Sequence, residues 1–110
     1  MKIAIPTRGK RKLANRVADT FSRAPHFTIV TIEDNKIKKV EVLDNPGMTP
    51  TRGVGPLAAS VLKDNQVNML LTSEMGPGAK DILDSYGIEV ELVQEGKWVS
   101  DVIAPYTAST

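Results

Sequence analysis

Two stretches without a charged residue, Ile3-Ala4-Ile5 and Val67-Asn68-Met69-Leu70-Leu71-Thr72, constrain this chain more than anything else in it. A strand that is apolar on both sides has to be buried on both faces, so each belongs at the centre of a sheet. The other strand-like stretches are patterned differently. Phe27 to Glu33 is rich in β-branched residues, Asp34-Asn35 is a two-residue hairpin signal, and Lys36 to Asp44 returns bearing Lys38, Lys39 and Glu41. Charge on a returning strand marks an edge. Ile88, Val90 and Leu92 alternate with Glu89 and Glu91, the pattern of a half-exposed strand at the opposite edge.

Helical signals fill the gaps. Leu13, Val17 and Phe21 are spaced for a turn or two of helix before Pro25. Pro56 opens a helix to Lys63, and Pro77 opens another with Ala79, Ile82, Leu83 and Tyr86 on one face and Gly87 as its stop. Trp98 is expected to close an edge of the core, and Ser100-Asp101 to cap a short last helix that Pro105 curtails. Burial, hairpin pairing and right-handed crossovers together predict a five-stranded mixed α/β sheet of order 3-2-1-4-5, with strand 2 antiparallel to the rest. The 110 residues make a single domain, 1–110.

That order has a chemical consequence. The chain reverses direction across the sheet between strands 1 and 4, and in open α/β sheets ligands bind at such a switch point, beyond the carboxyl ends of the strands. Four loops are predicted to meet there: Thr7 to Lys12, Arg23 to His26, Asn45 to Gly55, and Ser73 to Gly76. The third is an eleven-residue Gly- and Pro-rich loop feeding a helix, long enough in so short a chain to point to function. The helix starts at Pro56 and Pro77 add partial positive charge to the same edge. Residues 1–26 carry seven basic side chains against one acid, a net +6, whereas the remainder has seven bases and twelve acids, a net −5. The expected site is basic, Gly-rich and open, a seat for an anion.

Several chemistries are disfavoured. The chain has no Cys, which excludes disulfides, a thiolate nucleophile and Cys-held zinc or iron–sulfur centres. The rim offers few acids beyond Asp19 and Glu74, too few for a two-metal nuclease. Gly53-Val54-Gly55 lacks the third Gly of a dinucleotide fingerprint, and Gly9-Lys10-Arg11 is too short for a phosphate P-loop. Thr7, Thr51 and Ser73 have no general base in the sequence pattern to activate them. His26, the only imidazole, and the thioethers of Met48 and Met75 are the candidate metal ligands. Arg8, Lys10, Arg11, Lys12, Arg16 and Arg23 leave a nucleic-acid or acidic-protein binding module as the alternative, although only five aromatic residues are available to stack on bases. No apolar run is long enough for a membrane span or a signal-peptide core, and a cytoplasmic protein is expected.

The residues also carry a resemblance. Lys2 to Pro6, Phe21-Ser22-Arg23-Ala24-Pro25-His26-Phe27-Thr28-Ile29-Val30, Asn45-Pro46, Gly53-Val54-Gly55-Pro56-Leu57-Ala58-Ala59, Gly76-Pro77-Gly78-Ala79 and Gly87-Ile88 occur in order along nearly the whole chain. Together they resemble the dinitrogenase iron–molybdenum cofactor biosynthesis family, in particular its small NifX- and NafY-like cluster-binding domains. The resemblance implies a three-layer α/β/α domain of ribonuclease H-like topology. It implies a non-enzymatic carrier of an anionic iron–sulfur or molybdenum-containing cluster, with cluster donor or acceptor proteins as partners and no tightly bound cofactor. Members of the family often have His just before the Gly-x-Gly and before the Phe-x-Arg-Ala, where this chain has Arg52 and Thr20. The implied binding is therefore ionic, through Arg8, Arg23, Arg52 and the backbone amides at Gly9, Gly53, Gly55 and Gly76.

Overall fold

The computed structural model describes residues 1–46 and 54–107, with the backbone alone at Val54. Strand β1 (Lys2–Thr7) is buried from Ile3 onward. It pairs antiparallel with β2 (His26–Glu33), which pairs antiparallel with β3 (Lys36–Asp44). On its other side β1 pairs parallel with β4 (Met69–Thr72), and β4 with β5 (Glu89–Leu92). The sheet order is β3-β2-β1-β4-β5, as the burial pattern predicts. Asp34 and Asn35 both take positive φ, 53° and 62°, the conformation of a type I′ hairpin turn.

Helices cover both faces and complete a three-layer α/β/α architecture of ribonuclease H-like topology. One face carries α1 (Val54–Asp64) and α2 (Pro77–Ser85), where Leu62 and Leu83 pack against Ala4, Phe27, Ile29 and Leu70. The other carries α3 (Val99–Ile103), whose Val99, Val102 and Ile103 lie on Ile3, Ile5, Val30 and Leu71. Because β1 and β4 have apolar side chains pointing both ways, each layer has its own cluster. Pro56 sits third in α1, still within the turn whose N–H groups need no intrahelical acceptor. Gly87 ends α2 at φ 75°, with the Ile88 N–H reaching back to the Leu83 carbonyl at 3.0 Å. Among the described residues no helix is long and apolar enough to cross a membrane.

Three expectations are corrected. No helix spans Leu13 to Phe21. A 3-10 turn at Lys12–Ala14 gives way to extended chain, whose amides find partners elsewhere: Val17 N–H donates to Lys97 O and Ala18 N–H to Pro6 O, each at 2.8 Å. Leu13 and Val17 pack on the α3 face while Phe21 packs on the α1 and α2 face, so the segment crosses the sheet edge between them. Trp98 does not close the core but stands 42% exposed under the Arg16 guanidinium, 4.2 Å from its ring centroid. Trp98 also holds the N-cap position of α3 without a side-chain cap bond, which places Ser100 and Asp101 inside the first turn.

Candidate functional site at the carboxyl edge of the sheet

Register brings the strand ends into one row. Thr7 of β1 lies beside His26, the first residue of β2, and His26 beside Asp44, the last of β3; Thr72 and Leu92 end β4 and β5 together. The antiparallel course of β2 is what delivers His26, and Arg23 just before it, to the carboxyl edge.

The segment from Asn15 to Pro25 ties the loops at this edge together. The Ser73 hydroxyl donates to Ala18 O at 2.6 Å, and Glu74 Oε1 accepts from the Phe21 N–H at 3.0 Å and the Thr20 hydroxyl at 3.4 Å. Asn45, only 4% exposed, donates from Nδ2 to Ser22 O at 2.9 Å and Ala24 O at 2.8 Å, while its own N–H donates to Pro25 O. The Asn15 amide donates to Gly9 O at 2.7 Å. Thr7, fully buried, shares a 3.0 Å hydrogen bond with the Thr28 hydroxyl. The buried ties, Thr7 to Thr28 and Asn45 to Ala24, satisfy polar groups that the edge would otherwise bury without a partner.

Behind these loops two helix starts lie side by side. A Cβ added to Gly55, second in α1, would stand 3.5 Å from the Ala79 Cβ, third in α2. No side chain caps α2 at Gly76, and neither helix has an acid in its first turn. The two partial positive charges therefore add, with nothing in the helices' own first turns to offset them.

The sequence candidates distribute over this frame as follows. Arg23 is exposed and takes part in no ion pair among the described residues. His26 Nδ1 lies 3.0 Å from Asp44 Oδ1, so one ring nitrogen is occupied. Met75 packs against the core cluster beneath α1 and α2 rather than standing at the rim. Gly55 and Gly76 sit at the helix starts, and Gly9 accepts the Asn15 bond. Met48, Arg52 and Gly53, with Thr51, lie outside the described residues. Among the described residues no group of three or more His, Asp or Glu side chains is placed to hold a metal ion. The two rim acids singled out from the sequence are already engaged, Glu74 by the loop and Asp19 by Arg8.

Arg8 and Asp19 form an ion pair across the basic loop, and the guanidinium hydrogen bond holds the Asp19 carboxyl below its usual range. A depressed carboxyl pKa contributes stability that is present above the ordinary value of 3.8 and is lost as pH falls through the folded value. Arg8→Ala is expected to return the Asp19 titration, followed by side-chain carboxyl NMR shifts, to the ordinary range. An unchanged titration in that variant would exclude Arg8 as the cause.

The reading from sequence missed a cavity on the α3 side of this edge. It has a volume of about 530 Å³ and is framed by the basic loop, the extended segment and the Glu95-Gly96 turn, with Arg16 and Trp98 in its wall. Basic composition signalled the loop, but nothing in the linear sequence joins Arg16 to Trp98.

Comparison with known proteins agrees with this architecture. The family model described as dinitrogenase iron-molybdenum cofactor matches residues 1–109. The chain belongs to that family. It is 34% identical over 90 residues to the uncharacterized protein MJ0580 of Methanocaldococcus jannaschii, covering 82% of this chain and 72% of that one. Among solved structures, the apo form of the orange protein from Desulfovibrio gigas superposes with a TM-score of 0.85 at 31% identity, over 96% of this chain and 85% of that one. The structure of PH0822 gives 0.81 at 33% identity, over 96% and 89%. Family membership fits a non-catalytic scaffold with three layers and a loop-lined edge.

Proposed function

We propose that this family member is a non-enzymatic cytoplasmic carrier that receives an anionic iron–sulfur or molybdenum-containing cluster, or a related oxyanion, at the carboxyl edge of its sheet. The cluster is cargo, exchanged with donor or acceptor proteins of metallocluster assembly. The placement among NifX- and NafY-like domains is part of the same proposal.

The observation that carries it is the pair of adjacent helix starts, free of first-turn acids, at the sheet edge that also carries Arg23, which takes part in no ion pair among the described residues. Such an arrangement attracts negative charge without supplying a ligand bond. Arg23 and Arg52 contribute charge, and the amides near Gly53, Gly55 and Gly76 contribute hydrogen bonds. Arg8 and Gly9 flank the same edge. His26, Met48 and Met75 are weaker contributors. The absence of Cys from the whole chain, and of a metal-holding cluster among the described residues, favours capture by charge over direct ligation. A cargo held in this way is easily released, as a carrier requires.

Anaerobic titration of the full chain with molybdate, followed by calorimetry, tests the reading. Binding at low salt is expected to weaken as ionic strength rises and to fall about three- to tenfold in Arg52→Ala and Arg23→Ala. No binding at low salt would sink it. Metal analysis of anaerobically purified protein then identifies the natural cargo.

A further inference from the structure

We propose that the cavity between the basic loop and the Glu95-Gly96 turn is a second binding site, for a small phosphorylated aromatic molecule of mononucleotide size. It lies apart from the helix starts that the cluster reading uses, with Arg8 and Gly9 flanking both, and it stands whether or not a cluster binds.

Four observations carry the argument. The volume of about 530 Å³ lies within the roughly 300–1,000 Å³ of small-molecule clefts. Its wall contains an aromatic plate held ready: Trp98 is 42% exposed, with the Arg16 guanidinium 4.2 Å from its ring centroid and Arg16 Nη1 donating to Gly96 O at 3.4 Å. An exposed tryptophan with an arginine fixed over it presents flat surfaces on which a ring stacks, at little further cost in side-chain entropy. Arg11 lines the same cavity and takes part in no ion pair or side-chain hydrogen bond among the described residues. The Gly9 N–H, on the wall nearby, has no acceptor among the described residues.

Charge selects the ligand class. Arg8 is already neutralised by Asp19 and Arg16 is held over Trp98, which leaves Arg11 as the cavity's guanidinium with no partner among the described residues. The Arg11 fork and the Gly9 amide, with the Arg16 charge in the same wall, match a phosphate dianion better than a single carboxylate, because a guanidinium offers a fork of donors to phosphate oxygens. Glu95 also lines the cavity and opposes the same dianion, so its carboxylate sets an upper limit on affinity.

Trp98 is the only tryptophan of the chain and reports on the site directly. Titration with adenosine 5′-monophosphate, excited at the red edge of indole absorption and repeated by calorimetry, is expected to change Trp98 emission saturably at micromolar to millimolar concentration. Adenosine and orthophosphate alone are each expected to bind at least about tenfold more weakly, since each makes half of the contacts. Arg11→Ala, a change at an exposed side chain outside the core, is expected to weaken the nucleotide about tenfold while leaving molybdate binding as in the parent. Glu95→Gln is expected to tighten it. Three results would overturn the proposal: no saturable signal at millimolar nucleotide, orthophosphate binding as tightly as the nucleotide, or an Arg11→Ala affinity equal to the parent's. Loss of molybdate binding together with nucleotide binding in Arg11→Ala would also overturn it, by reducing the two sites to one.

Discussion

Replacing Phe27 by alanine is expected to cost about 3–5 kcal/mol of folding free energy and to lower the melting temperature by roughly 15 °C or more. Phe27 is fully buried one residue inside the amino end of β2, at the carboxyl edge of the sheet, with its ring centroid 5.6 Å from that of Phe21 at an interplanar angle of 38°. Removing the ring takes away its own burial and leaves a cavity under Phe21. Phe21 is the residue at which the extended segment passes onto the α1 and α2 face, and its N–H is the donor held by Glu74. The damage should therefore spread to the rim: hydrogen exchange at the Phe21 amide is expected to rise more than at amides of β4. Phe27→Leu keeps most of the volume and should cost less than half as much. Chemical denaturation of the three proteins decides the point. A loss under about 1 kcal/mol in Phe27→Ala would mean that the ring is not a support of the edge.

The second large effect is expected at Asn45. Its side-chain amide donates to the carbonyls of Ser22 and Ala24 while its backbone N–H holds Pro25, so one buried residue fixes three successive points of the loop ahead of His26. Asn45→Ala leaves two carbonyl groups without that donor and is expected to cost about 1–3 kcal/mol. Asn45→Asp is expected to be worse at neutral pH, because it sets a carboxylate against two carbonyl oxygens. The sign then follows from linkage. Burial and those oxygens raise the folded pKa of the new carboxyl above its unfolded value, so the protonated form is favoured on folding. The penalty of Asn45→Asp relative to Asn45→Ala should shrink as pH falls through that raised pKa, where the acid again has a proton to donate. Stability of both variants measured from pH 7 down to about pH 4 checks this. A constant gap across the range would show that the substituted side chain has turned away from the loop.

These residues also mark how far the fold could be read before folding. The apolar strands around Ala4 and Leu70 leave no alternative to central positions, and the lysines of β3 and glutamates of β5 leave no alternative to edges. Asp34-Asn35 and Gly87 act through local backbone preference, which is written in the residues themselves. Leu13, Val17 and Phe21 misled because helical spacing records distance along the chain and not direction in space. Those side chains reach opposite faces of the sheet, and their backbone is satisfied by Pro6 and Lys97, partners that no local window contains. Trp98 looked like core because it is large and apolar, yet the arginine over its ring gives it a stable place at the surface.

The sequence by itself determined the sheet order, the switch in chain direction between β1 and β4, and hence the edge where Arg23, His26 and Gly76 gather. Burial on two faces and hairpin chemistry are short-range facts, and they suffice for that. Only the tertiary structure decided what the edge is made of. Asn45 and Glu74 are ordinary polar residues until folding sets Asn45 against Ser22 and Ala24, and Glu74 against Phe21. Gly55 is an ordinary turn glycine until Ala79 stands against it and brings two helix starts together. Arg16 and Trp98 make a wall only because the chain returns after β5 to the segment that follows β1. The physical reason is the same in each case: the contact depends on long-range closure of the chain, and residue type along the sequence carries no record of it.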